Sequence, residues 1–97
     1  MEIESAVKKL RSESSAIVFA TNDYPRLKEM RVASEMVVKY LDEGEIQDAA
    51  HYASVLYGNI KNEQWDVENE RFRSPWPAAA WRAAAAKIKR YIGVLEQ

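Results

Sequence analysis

The sequence contains no cysteine, a single histidine, and only three glycines and three prolines. Without cysteine the chain forms neither disulfides nor thiolate zinc sites, and it has no thiol nucleophile. The scarcity of turn-forming residues argues against a many-stranded sheet. No apolar run approaches the roughly 18–20 residues that cross a bilayer, and the N-terminus lacks the basic and apolar regions of a signal peptide. These features predict an all-α protein in the cytoplasm, with no membrane contact.

Apolar side chains recur at helical spacing in four segments of the chain. Within each segment the steps are three or four residues, which places the side chains on one side of a helix. The predicted helices span residues 2–21, 26–42, 45–71 and 77–95. Val18 and Phe19 are expected to widen the buried stripe of the first helix. We therefore expect one compact, four-helix bundle-like domain over residues 1–97.

The second and third helices are predicted to form an antiparallel hairpin around which the chain folds. Gly44 can adopt the left-handed conformation that ends a helix. The buried stripe of the third helix then includes Ile46, Ala50, Ala53, Tyr57 and Ile60. Ile60 is therefore expected in the core, whereas Leu56 lies beside this stripe.

Charge is distributed unevenly along the chain. Residues 1–70 carry eight Lys or Arg against fourteen Asp or Glu, a net charge of −6, whereas residues 71–97 carry six against one, a net charge of +5. Together they give the overall −1. An asymmetry of this kind predicts complementary surfaces, within the chain or between chains.

The segment before the fourth helix combines large aromatic rings with arginines. Its apolar pattern fades although Trp65, Phe72 and Trp76 occur there, together with Arg71 and Arg73. Aromatic and arginine side chains are typical of interface hot spots. These five residues are the predicted partner-binding site, most simply in a homodimer. The two arginines are then expected near the acids of residues 42–48, either in the other copy or in the same chain.

Nucleic-acid or nucleotide binding is the alternative function. The candidate segment, residues 71–91, adds Arg82, Lys87, Lys89 and Arg90 to the aromatic residues, and arginines beside aromatic rings are used to bind single strands. Trp81, however, follows the apolar spacing of its helix and is expected in the core.

No motif predicts catalysis. His51 follows Asp48 by three residues and would share a helix face with it, but a carboxylate–histidine metal site of the di-iron type needs a second histidine. No serine lies in a nucleophile motif. The sequence thus favours a non-catalytic module for protein–protein interaction, such as an adaptor, small subunit or inhibitor-type protein. It predicts self-association and neither metal nor cofactor.

Overall fold

The computed structural model describes all 97 residues as four α-helices without a strand, which confirms the predicted fold class. The helices are α1 (Ile3–Thr21), α2 (Lys28–Asp42), α3 (Ile46–Glu68) and α4 (Ala78–Leu95), with a short 3-10 turn at Pro25–Leu27 before α2. The predicted ends agree to within three residues. The largest differences are at the start of α2, where the 3-10 turn intervenes, and at the end of α3. None of the helices is long and apolar enough to cross a membrane.

The helices form a four-sided bundle. Each helix packs against the next one along the chain, and α1 also packs against α4. Since the connections are short, successive helices run in opposite directions. The α1–α2 turn and the α3–α4 connector therefore lie at one end of the molecule, which measures 37 × 22 × 17 Å. The α2–α3 turn lies at the other end, with the start of α1 and the end of α4.

One apolar cluster of 20 buried residues fills the space between the helices. Ile60 is completely buried, as expected, and so is Leu56, which the sequence pattern placed beside the stripe. Trp81 is also completely buried, which confirms its assignment to the core. Ser14 lies in the buried seam of α1, where its hydroxyl has no hydrogen-bond partner. Its small side chain lets it fit there.

The turn between α2 and α3 is a Schellman motif centred on Gly44. Gly44 has a φ of +75°, its N–H donates to the Leu41 carbonyl at 3.2 Å, and the N–H of Glu45 donates to the Tyr40 carbonyl at 2.8 Å. These two bonds satisfy carbonyls that the end of a helix would leave unpaired. The left-handed corner predicted at this glycine is confirmed.

The prediction that Phe19 joins the buried stripe of α1 is wrong. Phe19 is 87% exposed, whereas Ile17 is completely buried. Two residues along a helix rotate the side chain by about 200°, which directs Phe19 away from the bundle. Val18, one residue earlier, is half-buried.

Candidate partner-binding surface

The connector between α3 and α4, residues 69–77, begins with a tight reversal. Glu70 has a left-handed φ of 53°, and the N–H of Arg71 donates to the Asp66 carbonyl at 2.9 Å. Asn69 reinforces the reversal, because its Nδ2 donates to the Trp65 carbonyl at 2.7 Å. A left-handed residue other than glycine costs about 1 kcal/mol or more. The reversal ends α3 at Glu68, three residues before the predicted end.

Arg26 fixes the connector to the body of the bundle. Its Nη1 and Nη2 donate to Oε1 and Oε2 of Glu63, each at 2.8 Å, and Nη2 also donates to the carbonyl of Arg73 at 2.6 Å. Glu63 is only 2% exposed, and its hydrogen bonds with Arg26 raise the pKa of that guanidinium. The same guanidinium lies 4.6 Å from the centre of the Phe72 ring. The side chain of Arg26, which belongs to the 3-10 turn before α2, thus contacts both the last turns of α3 and the connector.

A second set of contacts closes the end of the core beneath the connector. The Nε1 of the buried Trp81 donates to Oγ of Ser74 at 2.8 Å. The Trp76 ring lies against Trp81, with 4.5 Å between ring centres. Trp76 is therefore half-buried, and much of its ring covers the core. Of the three aromatic residues predicted at the interface, it is the least available to a partner.

Trp65 and Phe72 remain the exposed aromatic residues of this region, at 54% and 48% exposure. The guanidinium of Arg71 lies 5.5 Å from the centre of the Trp65 ring and 5.9 Å from that of Phe72, so it bridges the two. Arg26 contacts the Phe72 ring as well. We name these four residues, Trp65, Arg71, Phe72 and the edge of Arg26, the aromatic–arginine surface.

Arg73 lies next to this surface, although it is not part of it. Its side chain is exposed beside the α1–α2 turn, where it lines a shallow depression with Tyr24 and Phe72. No carboxylate lies within 4 Å of the Arg71 or Arg73 guanidinium. Both arginines are therefore free to pair with an acidic partner.

The acids of residues 42–48 lie at the opposite end of the molecule. Arg11 donates two hydrogen bonds to Asp42, at 2.7 and 3.1 Å, which lower the pKa of that carboxyl below its ordinary value. Glu43, Glu45 and Asp48 have no cationic partner within 4 Å. Because the bundle separates the two ends, Arg71 and Arg73 do not contact these acids in their own chain. The contact with a second copy stays a prediction.

The four basic residues proposed for nucleic-acid contact all lie on exposed positions of α4. Arg82 pairs with Glu68 at 3.0 Å and Lys87 approaches Glu13 at 4.0 Å, whereas Lys89 and Arg90 have no carboxylate partner. The buried Trp81 cannot stack on a base. The structure therefore separates most of this basic set from the exposed rings.

His51 is exposed on α3, with its ring edge against Tyr52 at 5.2 Å between centres. No group of three or more His, Asp or Glu side chains lies close enough together to hold a metal ion. His51 lines a surface depression together with Gln47, Ser54 and Glu96.

Sequence reasoning missed Arg26 and Glu63, the pair that positions the surface. A signal was present for Glu63, which follows Ile60 by three residues and therefore lies on the buried side of α3. A buried glutamate needs a cationic partner. Nothing in the spacing of the sequence identifies that partner as Arg26, 37 residues earlier.

Comparison with known proteins gives no relative from which a function can be carried over. No protein-family model matches the chain, and neither the curated proteins nor the solved structures include a significant match.

Proposed function

We propose that this chain is a non-catalytic, self-associating module for protein–protein interaction, which binds its partner through the aromatic–arginine surface. The observation that carries the proposal is the pair of half-exposed rings, Trp65 and Phe72, bridged by the unpaired Arg71. Tryptophan and arginine are the residue types most enriched among interface hot spots. The expected cytoplasmic location belongs to this proposal.

Preorganisation supports the proposal. Phe72 and the connector are fixed by Arg26, whose hydrogen bonds to a buried carboxylate are of the strong, bidentate type. A ring that is already ordered in the free protein loses little conformational entropy when a partner covers it. The buried Arg26–Glu63 pair is itself a weak source of stability, because desolvation offsets much of its attraction. Its position suggests that it shapes the exposed surface.

Nucleic-acid binding is the second candidate, and it is supported by Lys89 and Arg90, which are exposed and have no acidic partner. Binding to phosphates depends steeply on salt because it releases counterions. A contact built on aromatic rings depends on salt only weakly. A salt titration of binding therefore separates the two functions.

The test is capture of a partner by immobilised chain, with Trp65→Ala, Phe72→Ala and a control compared with the wild type. Phe19→Ala is the matched control, since Phe19 is a more exposed ring on α1 that is not part of the aromatic–arginine surface. We expect each surface variant to weaken binding by about tenfold or more, or ~1.4 kcal/mol, while the control leaves it unchanged. Nuclease treatment should have no effect.

Binding that survives both surface variants would contradict the proposal. Loss of the partner on nuclease treatment, together with loss on a Lys89→Gln, Arg90→Gln double substitution, would instead establish the second candidate.

A further inference from the structure

Three of the seven exposed large apolar side chains lie on α2 and α3, and a fourth lies in the connector that follows α3. Of seven large apolar residues that are exposed, Met1, Ile3 and Phe19 belong to the N-terminal helix region; the other four are Val32, Val55, Trp65 and Phe72. Val32 and Val55, each 43% exposed, line a shallow groove between α2 and α3 together with Tyr52 and Asn59. A neighbouring depression shares Asn59 and extends to Phe72. The groove therefore leads to the aromatic–arginine surface.

A glycine in the middle of α3 also indicates a contact on this side of the bundle. Gly58 is exposed, and a Cβ placed on it would have no neighbour within 4 Å, so no contact inside the chain requires a glycine there. Glycine in a helix interior costs roughly 0.5–1 kcal/mol relative to alanine. A close approach by another molecule to this side of α3 would account for it.

Opposite charges lie at the two ends of the α2–α3 side. Asp48 shares one side of α3 with Tyr52, Val55 and Asn59, at steps of four, three and four residues. Arg71 lies beside Trp65 at the other end of the helix. The 17 residues from Asp48 to Trp65 span about 26 Å of helix axis, so the two charges cannot meet in one chain. In a second copy turned end for end, each Arg71 lies near the other copy's Asp48, and this contact forms twice.

The dimensions of the bundle favour contact along its length. The bundle is 37 Å long and only 22 × 17 Å in cross-section, so a contact along its length can bury more surface than a contact between its ends. Head-to-tail pairing of the acidic end of one copy with the basic end of the next would leave an unpaired end on each side and continue into a filament.

We infer that the partner of this module is a second copy of the chain, bound antiparallel and side by side through the α2–α3 side in a closed two-fold dimer. Val32, Val55 and Gly58 lie at its centre, and Arg71 of each copy pairs with Asp48 of the other. This inference rests on the proposed function and names its partner.

Charge reversal tests the pairing. Light scattering over low to high micromolar concentration should give twice the 11.1 kDa chain mass for the wild type. Asp48→Lys and Arg71→Glu should each weaken the dimer by about tenfold or more, because like charges then face each other. An equimolar mixture of the two variants should dimerise again, since both contacts are complementary in the mixed pair. The double variant should do so as well.

Lys9→Glu is the matched control, because Lys9 is exposed on α1 without an ionic partner and the change in charge equals that of Arg71→Glu. It should leave the dimer intact. Val55→Glu, with its helix content checked by circular dichroism, should abolish the dimer.

Three results would overturn the inference: a wild type that stays monomeric, a mass that grows beyond two chains, or a dimer unaffected by the charge reversals. A monomeric wild type would also remove self-association from the proposed function, whereas in all three cases the aromatic–arginine surface can still bind an unlike protein. Binding through the aromatic–arginine surface is contradicted by a different result: partner capture that is unchanged by both Trp65→Ala and Phe72→Ala.

Discussion

Replacing Arg26 with alanine should destabilise the protein far more than the loss of a surface arginine. The substitution removes two hydrogen bonds to Glu63, one to the Arg73 carbonyl and the contact with Phe72. It also leaves the Glu63 carboxylate buried without a cation. Losing one partner of a buried pair costs about 3–5 kcal/mol. Because the Arg26 side chain is 32% exposed and water can reach the site, we expect the lower end, about 3 kcal/mol.

The Arg26–Glu63 pair as a whole should contribute much less to the free energy of unfolding than the loss of either residue alone costs. Replacing both residues by apolar ones, Arg26→Met with Glu63→Leu, removes the charge and its desolvation cost together, which is often close to neutral. The double-mutant cycle built from Arg26→Met, Glu63→Leu and the double variant should therefore give a coupling free energy of about 3 kcal/mol or more, because the single costs do not add. Arg82→Ala is the control, because Arg82 and Glu68 form an exposed pair at 3.0 Å and should contribute no more than about 1 kcal/mol.

Urea unfolding followed by circular dichroism gives these free energies, measured at a concentration low enough to keep the chain monomeric. A second readout is local: Trp76 should become more accessible to a quencher in Arg26→Ala, because the connector has lost the hydrogen bond that Arg26 donates to the Arg73 carbonyl. A cost below about 1 kcal/mol, or a coupling free energy near zero, would refute the reasoning that Arg26 fixes the connector.

Three further predictions concern single sites. Ile60→Ala should lower the unfolding free energy by about 2–5 kcal/mol in urea titration, because a completely buried aliphatic side chain is emptied; a loss below about 1 kcal/mol would contradict its place in the core. Gly58→Ala should raise the unfolding free energy of the monomer by about 0.5–1 kcal/mol, since alanine favours the helix and meets no neighbour; a decrease would contradict this. The carboxyl of Asp42 should titrate below its ordinary range by NMR and return to it in Arg11→Gln. The stability that the Arg11–Asp42 pair adds should be fully present above the ordinary pKa of an aspartate. It should be lost as the pH falls through the lowered pKa of Asp42.

The four helices were predictable because each has a regular apolar stripe, and the corner at Gly44 was predictable because glycine alone adopts its left-handed conformation without cost. The end of α3 was not, since Glu70 adopts that conformation without the glycine that normally signals it. The sequence pattern misplaces Phe19, because this residue is hydrophobic and adjoins the buried stripe of α1. It nevertheless lies on the opposite side of the helix from that stripe.

The candidate surface was predictable in part. Composition identified Trp65, Phe72, Arg71 and their neighbours, because aromatic rings in a polar segment need an explanation. It could not show that Trp76 turns inward onto Trp81. Nor could it show that Arg26 and Glu63 hold the connector, since their contact joins positions 37 residues apart and depends on the packing of α2 against α3.

Fluorescence quenching of Trp65 tests the central claim most directly. The signal of this indole is the difference between the wild type and Trp65→Phe, and its accessibility to acrylamide is compared in the free chain and in the bound complex. Trp65 is 54% exposed in the free chain and should be readily quenched there. We predict that binding protects it, since it lies within the contact. A Trp65 indole that is quenched equally in the free and bound states would contradict the assignment of the aromatic–arginine surface as the binding site.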